Sequence, residues 1–285
     1  MLAVTPDEVL GARGYEPFCG ISVLGAIHEL ADASHSKAMS DLVTDGKGKG
    51  ELLFTLGKVG PPRYAHFIGR YRDDPDASVR AGVAAGLGLI DNEGVAVPVL
   101  VSMLARNEAD FSVKWEAASS LIAIAKRRSP EGVRRRVLEL FKEPSPMTVV
   151  LAARVLASTG DARGVEKLRE LTTHADRRAR EEALFALGAL ADAGSRETVT
   201  RRLTDDAVAA RAIAVYALAR IAGPAAVPTL RKAIEDALEY ERHLERGTQA
   251  GEKAEAIRQR YGIGEFDLRE TLQEALGLAQ QPRAR

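Results

Sequence analysis

The sequence predicts an all-α protein, a right-handed α-solenoid of about eight helical hairpins. Three observations predict this fold class. The first is a leucine that recurs mostly at intervals of about 31 to 35 residues, too long for one helix and too short for a domain. The second is a glycine directly after several of these leucines, and the third is helical spacing of apolar residues on both sides of short turns. The recurring leucines, called marker leucines below, are Leu24, Leu56, Leu87, Leu121, Leu156, Leu187, Leu218 and Leu276.

The clearest hairpin covers residues 62–91. A first helix is expected from Arg63 to Arg72, and Pro75 ends it because proline cannot continue a helix. Asp76 or Ser78 can cap the second helix, which is expected at 78–91. Each hairpin is thus expected to hold a first and a second helix. The expected second helices are 16–31, 50–60, 78–91, 112–127, 147–159, 178–191, 208–222 and 267–278.

An acid often precedes the basic residue near the start of a second helix by six positions. Asp74 precedes Arg80, Glu108 precedes Lys114, and Asp205 precedes Arg211. Such residues can bond from one hairpin to the next, forming what we call the polar ladder. We expect the polar ladder to fix the register of the stack rather than to catalyse a reaction.

The segment Asp74-Pro75-Asp76-Ala77-Ser78-Val79-Arg80, followed by Ala84-Ala85-Gly86-Leu87-Gly88, resembles a HEAT repeat. It is most similar to the short bacterial repeats of the phycocyanobilin lyase type, and the resemblance covers most of residues 16–277. It implies the solenoid fold and is unspecific for function. Two departures stand out, because Thr148-Val149 lacks the basic residue and a Gly-Lys-Gly-Lys-Gly turn at 46–50 replaces the usual one.

We expect residues 1–285 to form a single HEAT-like α-solenoid with an insertion at about 239–265 in the last repeat. The insertion could cap the array or contact a partner, since insertions in repeat proteins lie on one face. The turn at 46–50 could cradle a phosphate but lacks the spacing of a Walker loop, so an exposed turn is favoured. Neither a signal peptide nor an 18-residue apolar run is found, which predicts a cytoplasmic protein without a membrane span.

The sequence offers little catalytic chemistry. The single Cys19 excludes an internal disulfide, and Gly-x-Ser-x-Gly nucleophile motifs are absent. HEAT-like deoxyhypusine hydroxylases hold iron with several His-Glu pairs, whereas this chain has only His28-Glu29. We therefore expect a protein that is not an enzyme and has no cofactor, metal site or catalytic residue.

Large side chains recur on the second helices six or two positions before the marker leucine, on the side opposite the core. Second helices usually line the concave face of a solenoid, and aromatic residues and arginine anchor interfaces. The candidate partner-binding residues are Phe54, Trp115, Arg154, Phe185 and Tyr216. The alternative is that these side chains only fill gaps between neighbouring helices.

Residues 106–235 carry 23 Lys+Arg against 17 Asp+Glu, and Arg127-Arg128 and 134–136 form a basic cluster. The leading functional hypothesis is a bacterial protein–protein interaction scaffold or adaptor whose concave face binds another protein. A first alternative is nucleic-acid binding through the basic middle repeats, as in HEAT-like DNA glycosylases, although these charges fall at helix ends with acids between them. A second alternative is an accessory subunit of a chromophore lyase.

Overall fold

A computed structural model describes residues 30–280, except 45, 47, 129, 206, 233–234 and 236–267. The described residues form helices and turns without a strand, so the predicted all-α solenoid class is confirmed. The chain divides into two compact units, Met1–Val155 and Leu156–Arg285. Each unit is a stack of helical hairpins and is described by itself.

The first unit contains four described hairpins, with the unit boundary inside the last helix. In the first three of these hairpins the second helices pack side by side, and each first helix packs on its own second helix. The helices are α1 (Ser36–Thr44), α2 (Lys49–Val59), α3 (Tyr64–Gly69), α4 (Ala77–Leu89), α5 (Glu93–Ala105), α6 (Phe111–Arg127), α7 (Pro130–Leu138) and α8 (Pro146–Ser158).

The second unit repeats the arrangement. Its second helices α10, α12 and α13 pack in sequence, α10 on α12 and α12 on α13. The α-helices are α9 (Ala162–Leu171), α10 (Arg177–Leu190), α11 (Arg196–Arg201), α12 (Val208–Ala222) and α13 (Leu268–Gln280).

Aspartates start several second helices by capping a free backbone N–H group. The Asp76 carboxylate accepts a hydrogen bond from the Ser78 amide at 2.8 Å, and Asp110 accepts one from the Ser112 amide at the same distance. Asp176 does the same for Ala179 at the start of α10. Capping removes an unsatisfied donor at each helix start and contributes about 1 kcal/mol.

The core is built from the marker leucines. Leu56, Leu87 and Leu121 are fully buried in the first unit, as is Leu187 in the second. Between α2 and α4 the backbones themselves touch, because a Cβ atom on Gly57 would meet the backbone of Gly86. Small residues beside the marker leucines therefore allow close helix contact.

The predicted second helices agree closely with the structure, for example 78–91 against Ala77–Leu89 and 208–222 against Val208–Ala222. The first helices are predicted less well, since the expected Arg63–Arg72 helix ends at Gly69. Most of the predicted helix at 16–31 and the whole insertion at 239–265 lie outside the described residues. The single 1–285 array remains a prediction.

One described stretch, Ala209–Lys232, is long and apolar enough to cross a membrane by length and composition, and half of its most apolar window is buried in the fold. The stretch includes most of α12, which packs between α10 and α13. A core helix of a repeat protein has the same composition, so this stretch is weak evidence for a membrane span.

Candidate functional site

An apolar cleft lies between α10 and α12 in the second unit. Its volume is about 570 Å³, within the range typical of ligand and peptide pockets. Most of its walls are small or apolar side chains. The lining residues are Phe185, Gly188, Ala189, Ala212, Ile213, Tyr216, Ala217 and Arg220.

Phe185 and Tyr216 stand at the open side of this cleft. Phe185 is 49% exposed and Tyr216 is 45% exposed, which is high for aromatic side chains in a helical stack. Both were predicted as partner-binding residues from the same position relative to the marker leucine, and the structure brings them to one cleft.

Gly188 allows α10 and α12 to approach each other closely beside the cleft. A Cβ atom at this position would lie 2.8 Å from the Cα atom of Ala217 on α12, so only glycine lets the two helices come this close. Arg220 joins the same helices, because its Nε atom donates a hydrogen bond to the Gly188 carbonyl oxygen at 3.0 Å. Neither Gly188 nor Arg220 was predicted as a site residue, although Arg220 follows Tyr216 by one helical turn.

In the first unit, Trp115 and Arg154 meet each other. The Arg154 guanidinium carbon lies 3.7 Å from the centre of the Trp115 ring, a close cation–π contact between α6 and α8. Phe111 packs on the same ring at 5.8 Å. These two predicted residues therefore bridge neighbouring helices, as the gap-filling alternative expects.

Phe54, the fifth predicted residue, is half-buried on α2. The helix α4 packs between α2 and α6, so Phe54 is not brought together with Trp115. The predicted partner-binding set is thus divided into Phe54, the Trp115–Arg154 contact, and the pair in the cleft.

The polar ladder exists in the described part of the first unit. Arg80 donates Nε and Nη2 to the two carboxylate oxygens of Glu108 in the next hairpin, each at 2.7 Å. Its Nη1 donates to the carbonyl oxygens of Asp74 and Pro75 in its own turn. One hairpin earlier, Lys49 pairs with Asp74 at 3.3 Å.

The second unit contains the same relationship. Arg180 on α10 donates to both carboxylate oxygens of Asp205, at 3.1 and 2.9 Å. Arg211 on α12 donates to the Asp205 carbonyl oxygen at 2.7 Å. The predicted bonding of a basic residue to the acid of the next hairpin is confirmed in both units, and the ladder has a structural role.

The ladder changes at Thr148, where the sequence departs from the repeat. The buried Lys114 donates to the Thr148 hydroxyl at 2.7 Å, and that hydroxyl donates to the Leu104 carbonyl oxygen at 2.9 Å. Burial lowers the pKa of Lys114 below its ordinary value of 10.5. The pKa of Glu108 is also lowered, but for a different reason, because hydrogen bonds from Arg80 stabilise its carboxylate.

The basic cluster at the end of α6 makes contacts inside the first unit. Arg127 donates to the carbonyl oxygens of Gly88 and Leu89, which closes the C-terminal end of α4. Arg128 forms an ion pair with Asp91. These contacts use two of the charges on which the nucleic-acid alternative relied.

The described residues also contain no group of three or more His, Cys, Asp or Glu side chains suited to a metal ion.

Comparison with known proteins supports the repeat architecture. The family described as HEAT repeats matches residues 135–208 and 165–246. These residues are therefore HEAT repeats, and the HEAT-repeat identification made from the sequence is confirmed. None of the curated proteins matches the chain.

Solved structures that are similar to the chain include the following three. The complex of CpcE and CpcF of phycocyanin lyase from Nostoc sp. PCC7120 shares 14% identity, with a TM-score of 0.41, over 90% of this chain and 94% of that one. An engineered protein shares 19% identity, with a TM-score of 0.36, over 92% and 85%. A second engineered protein shares 24% identity, with a TM-score of 0.36, over 84% and 97%. At these TM-scores the similarities carry no functional argument.

Proposed function

We propose that this protein is a non-enzymatic interaction scaffold that binds a segment of another protein in the cleft between α10 and α12. The proposal rests on one observation above all. Two large aromatic side chains, Phe185 and Tyr216, stand half-exposed over an apolar depression instead of packing into the core. Burying such side chains against a partner gains free energy that the free protein does not realise.

The form of the cleft suits a protein ligand. Aromatic side chains supply large contact areas with few rotatable bonds, and for this reason they dominate the energetics of protein interfaces. The lining includes Gly188, Ala212 and Ala217, and such small residues leave room for an incoming apolar side chain. An apolar anchor of the partner would fill this space between Phe185 and Tyr216.

The nucleic-acid alternative receives less support, because Arg127 and Arg128 bond to carbonyl oxygens and to Asp91. The cleft itself is mainly apolar, whereas nucleic-acid sites carry many cations for phosphate contacts. The chromophore-lyase alternative remains a prediction from the sequence.

The test is an affinity purification with the full chain as bait, using cells from its own source. Phe185→Ala and Tyr216→Ala are compared with the wild type and with Leu89→Ala. Leu89 is a matched control because it is a large apolar residue with 38% exposure on α4, in the other unit. Circular dichroism of each variant verifies that the helices are intact.

We expect a small set of proteins to be retained by the wild type and by Leu89→Ala and lost with either cleft variant. Each truncation removes most of an aromatic anchor and should weaken binding by about 2 kcal/mol or more. If folded cleft variants retain every partner of the wild type, the cleft is not the binding site.

A further inference from the structure

The cleft has one charged end. Among the described residues that line it only Arg220 carries a charge, and it lies at the C-terminal end of the lined part of α12. Its side chain is positioned by the hydrogen bond from Nε to the Gly188 carbonyl oxygen. Among the described residues neither Nη atom of Arg220 makes a hydrogen bond, so two donor groups remain for a ligand.

The length of the cleft fits a short helix. The lining on α12 runs from Ala212 to Arg220, which corresponds to about 12 Å at the helical rise per residue. Two turns of a partner helix have nearly the same length and present apolar side chains at positions i, i+3 or i+4, and i+7. The aromatic pair lies near the middle of this span.

The positive charge of Arg220 favours an acidic residue next to the partner's apolar side chains. A carboxylate at the Arg220 end would receive two charge-assisted hydrogen bonds from a guanidinium that is already held in place. A lysine or arginine there would meet like charge next to an apolar wall.

We infer that the occupant of the cleft is an acidic amphipathic helix, with two or three apolar anchors and a carboxylate one turn beyond them that pairs with Arg220. This inference rests on the proposed function and specifies the chemistry of the partner. The apolar anchors lie between Phe185 and Tyr216, and the carboxylate sets the direction of the bound helix.

The test uses a display library of helix-forming peptides of about 14 residues, selected on the immobilised full chain. Affinities of the enriched peptides are then measured for the wild type, Arg220→Gln, Arg220→Glu and Tyr216→Ala. Arg127→Gln serves as the matched control, because Arg127 also closes a helix end through carbonyl oxygens but lies on α6 in the other unit. Thermal unfolding of Arg220→Gln and Arg127→Gln compares the two structural effects.

We expect acidic peptides with apolar spacing of three or four residues to be enriched. Their affinity should fall about tenfold or more in Arg220→Gln, should fall further in Arg220→Glu, and should be unchanged in Arg127→Gln. Binding to the wild type should weaken as salt increases. Replacing the peptide's acid by lysine should restore binding to Arg220→Glu.

Two outcomes would contradict the account in different ways. If neutral or basic peptides are enriched and bind in a manner that depends on Tyr216 but not on Arg220, the acidic partner is wrong and the cleft still binds protein. If every enriched peptide binds Tyr216→Ala as well as the wild type, the proposed function fails together with the inference.

Discussion

Arg80 and Glu108 form a two-pronged ion pair between consecutive hairpins, with both hydrogen bonds at 2.7 Å. The side chain of Glu108 is 2% exposed and that of Arg80 is 11% exposed, so little water reaches either charge. The same Arg80 also holds the carbonyl oxygens of its own turn. The pair therefore links a turn, a second helix and the next turn in one network.

Removing one member of this pair should be costly. Arg80→Leu or Glu108→Leu is expected to lower the free energy of unfolding by about 3 kcal/mol, because the remaining charge stays buried without its partner. The double variant should recover part of that loss. Urea unfolding of all four proteins gives the coupling energy. The exposed pair Lys142–Glu139 is the control, and its disruption should cost less than about 1 kcal/mol. Additive losses at Arg80 and Glu108 would contradict the account.

The ion pair between Arg80 and Glu108 predicts that the protein loses stability in acid. Arg80 holds the pKa of folded Glu108 below the ordinary value of 4.5, so the folded state binds its proton less tightly than the unfolded state. The contribution of Glu108 to stability is thus complete above about pH 4.5 and is lost as the pH falls through the folded pKa. The stability difference between the wild type and Glu108→Gln should shrink over that range, measured by urea unfolding from pH 7 to pH 3. A constant difference would show that Glu108 is not a titrating member of the ladder.

Lys114 should give a second rise of stability with pH, in the alkaline range. Burial lowers its folded pKa below 10.5, so between those two values the unfolded state binds more protons and stability rises with pH. Lys114→Met removes the buried ammonium, while the Thr148 hydroxyl still has the Leu104 carbonyl oxygen as acceptor. Near pH 7 the free energy of unfolding of the variant should equal that of the wild type or exceed it by up to about 1 kcal/mol. As the pH rises towards 10.5, the stability of the wild type should increase relative to that of the variant. A difference in stability that does not change with pH would be evidence against a buried charged Lys114.

Close backbone contact between α2 and α4 gives a steric prediction. Gly57→Ala places a Cβ atom against the backbone of Gly86 and should destabilise the protein by about 2 kcal/mol or more. Gly132→Ala on α7 is the matched control, because no atom lies within 4 Å of the added Cβ atom. That control should stabilise by about 0.5 to 1 kcal/mol through the lower entropy of the unfolded chain. Equal thermal shifts for the two variants would mean that α2 and α4 do not pack this closely.

The sequence predicts the second helices well because each one contains a marker leucine and several also begin at a capping aspartate. Capping aspartates such as Asp76 and Asp110 mark the start, and the marker leucines Leu87 and Leu121 define the buried side. First helices carry weaker signals, and α3 ends at Gly69 although helical spacing continues to Tyr71. Local spacing does not reveal where tertiary contacts make a turn more favourable than another helical residue.

The candidate site is predicted in part, for a related reason. Helical periodicity correctly puts Phe185 and Tyr216 on the outward side of their helices, and it puts Trp115 and Arg154 there as well. It cannot distinguish a side chain facing solvent from one that reaches its neighbour. Trp115 and Arg154 contact each other between α6 and α8, whereas Phe185 and Tyr216 remain half-exposed. The difference arises only when the helices are packed together, which helical periodicity does not describe.

Hydrogen exchange of the full chain, with and without a partner recovered by affinity purification, tests the central claim most directly. The account predicts that binding slows exchange in the second unit, at Phe185–Leu190 on α10 and at Ala212–Arg220 on α12. The first unit's α2 and α4 should exchange as in the free protein. Protection confined to other helices, with the two cleft segments unchanged, would contradict the assignment of this cleft as the partner-binding site.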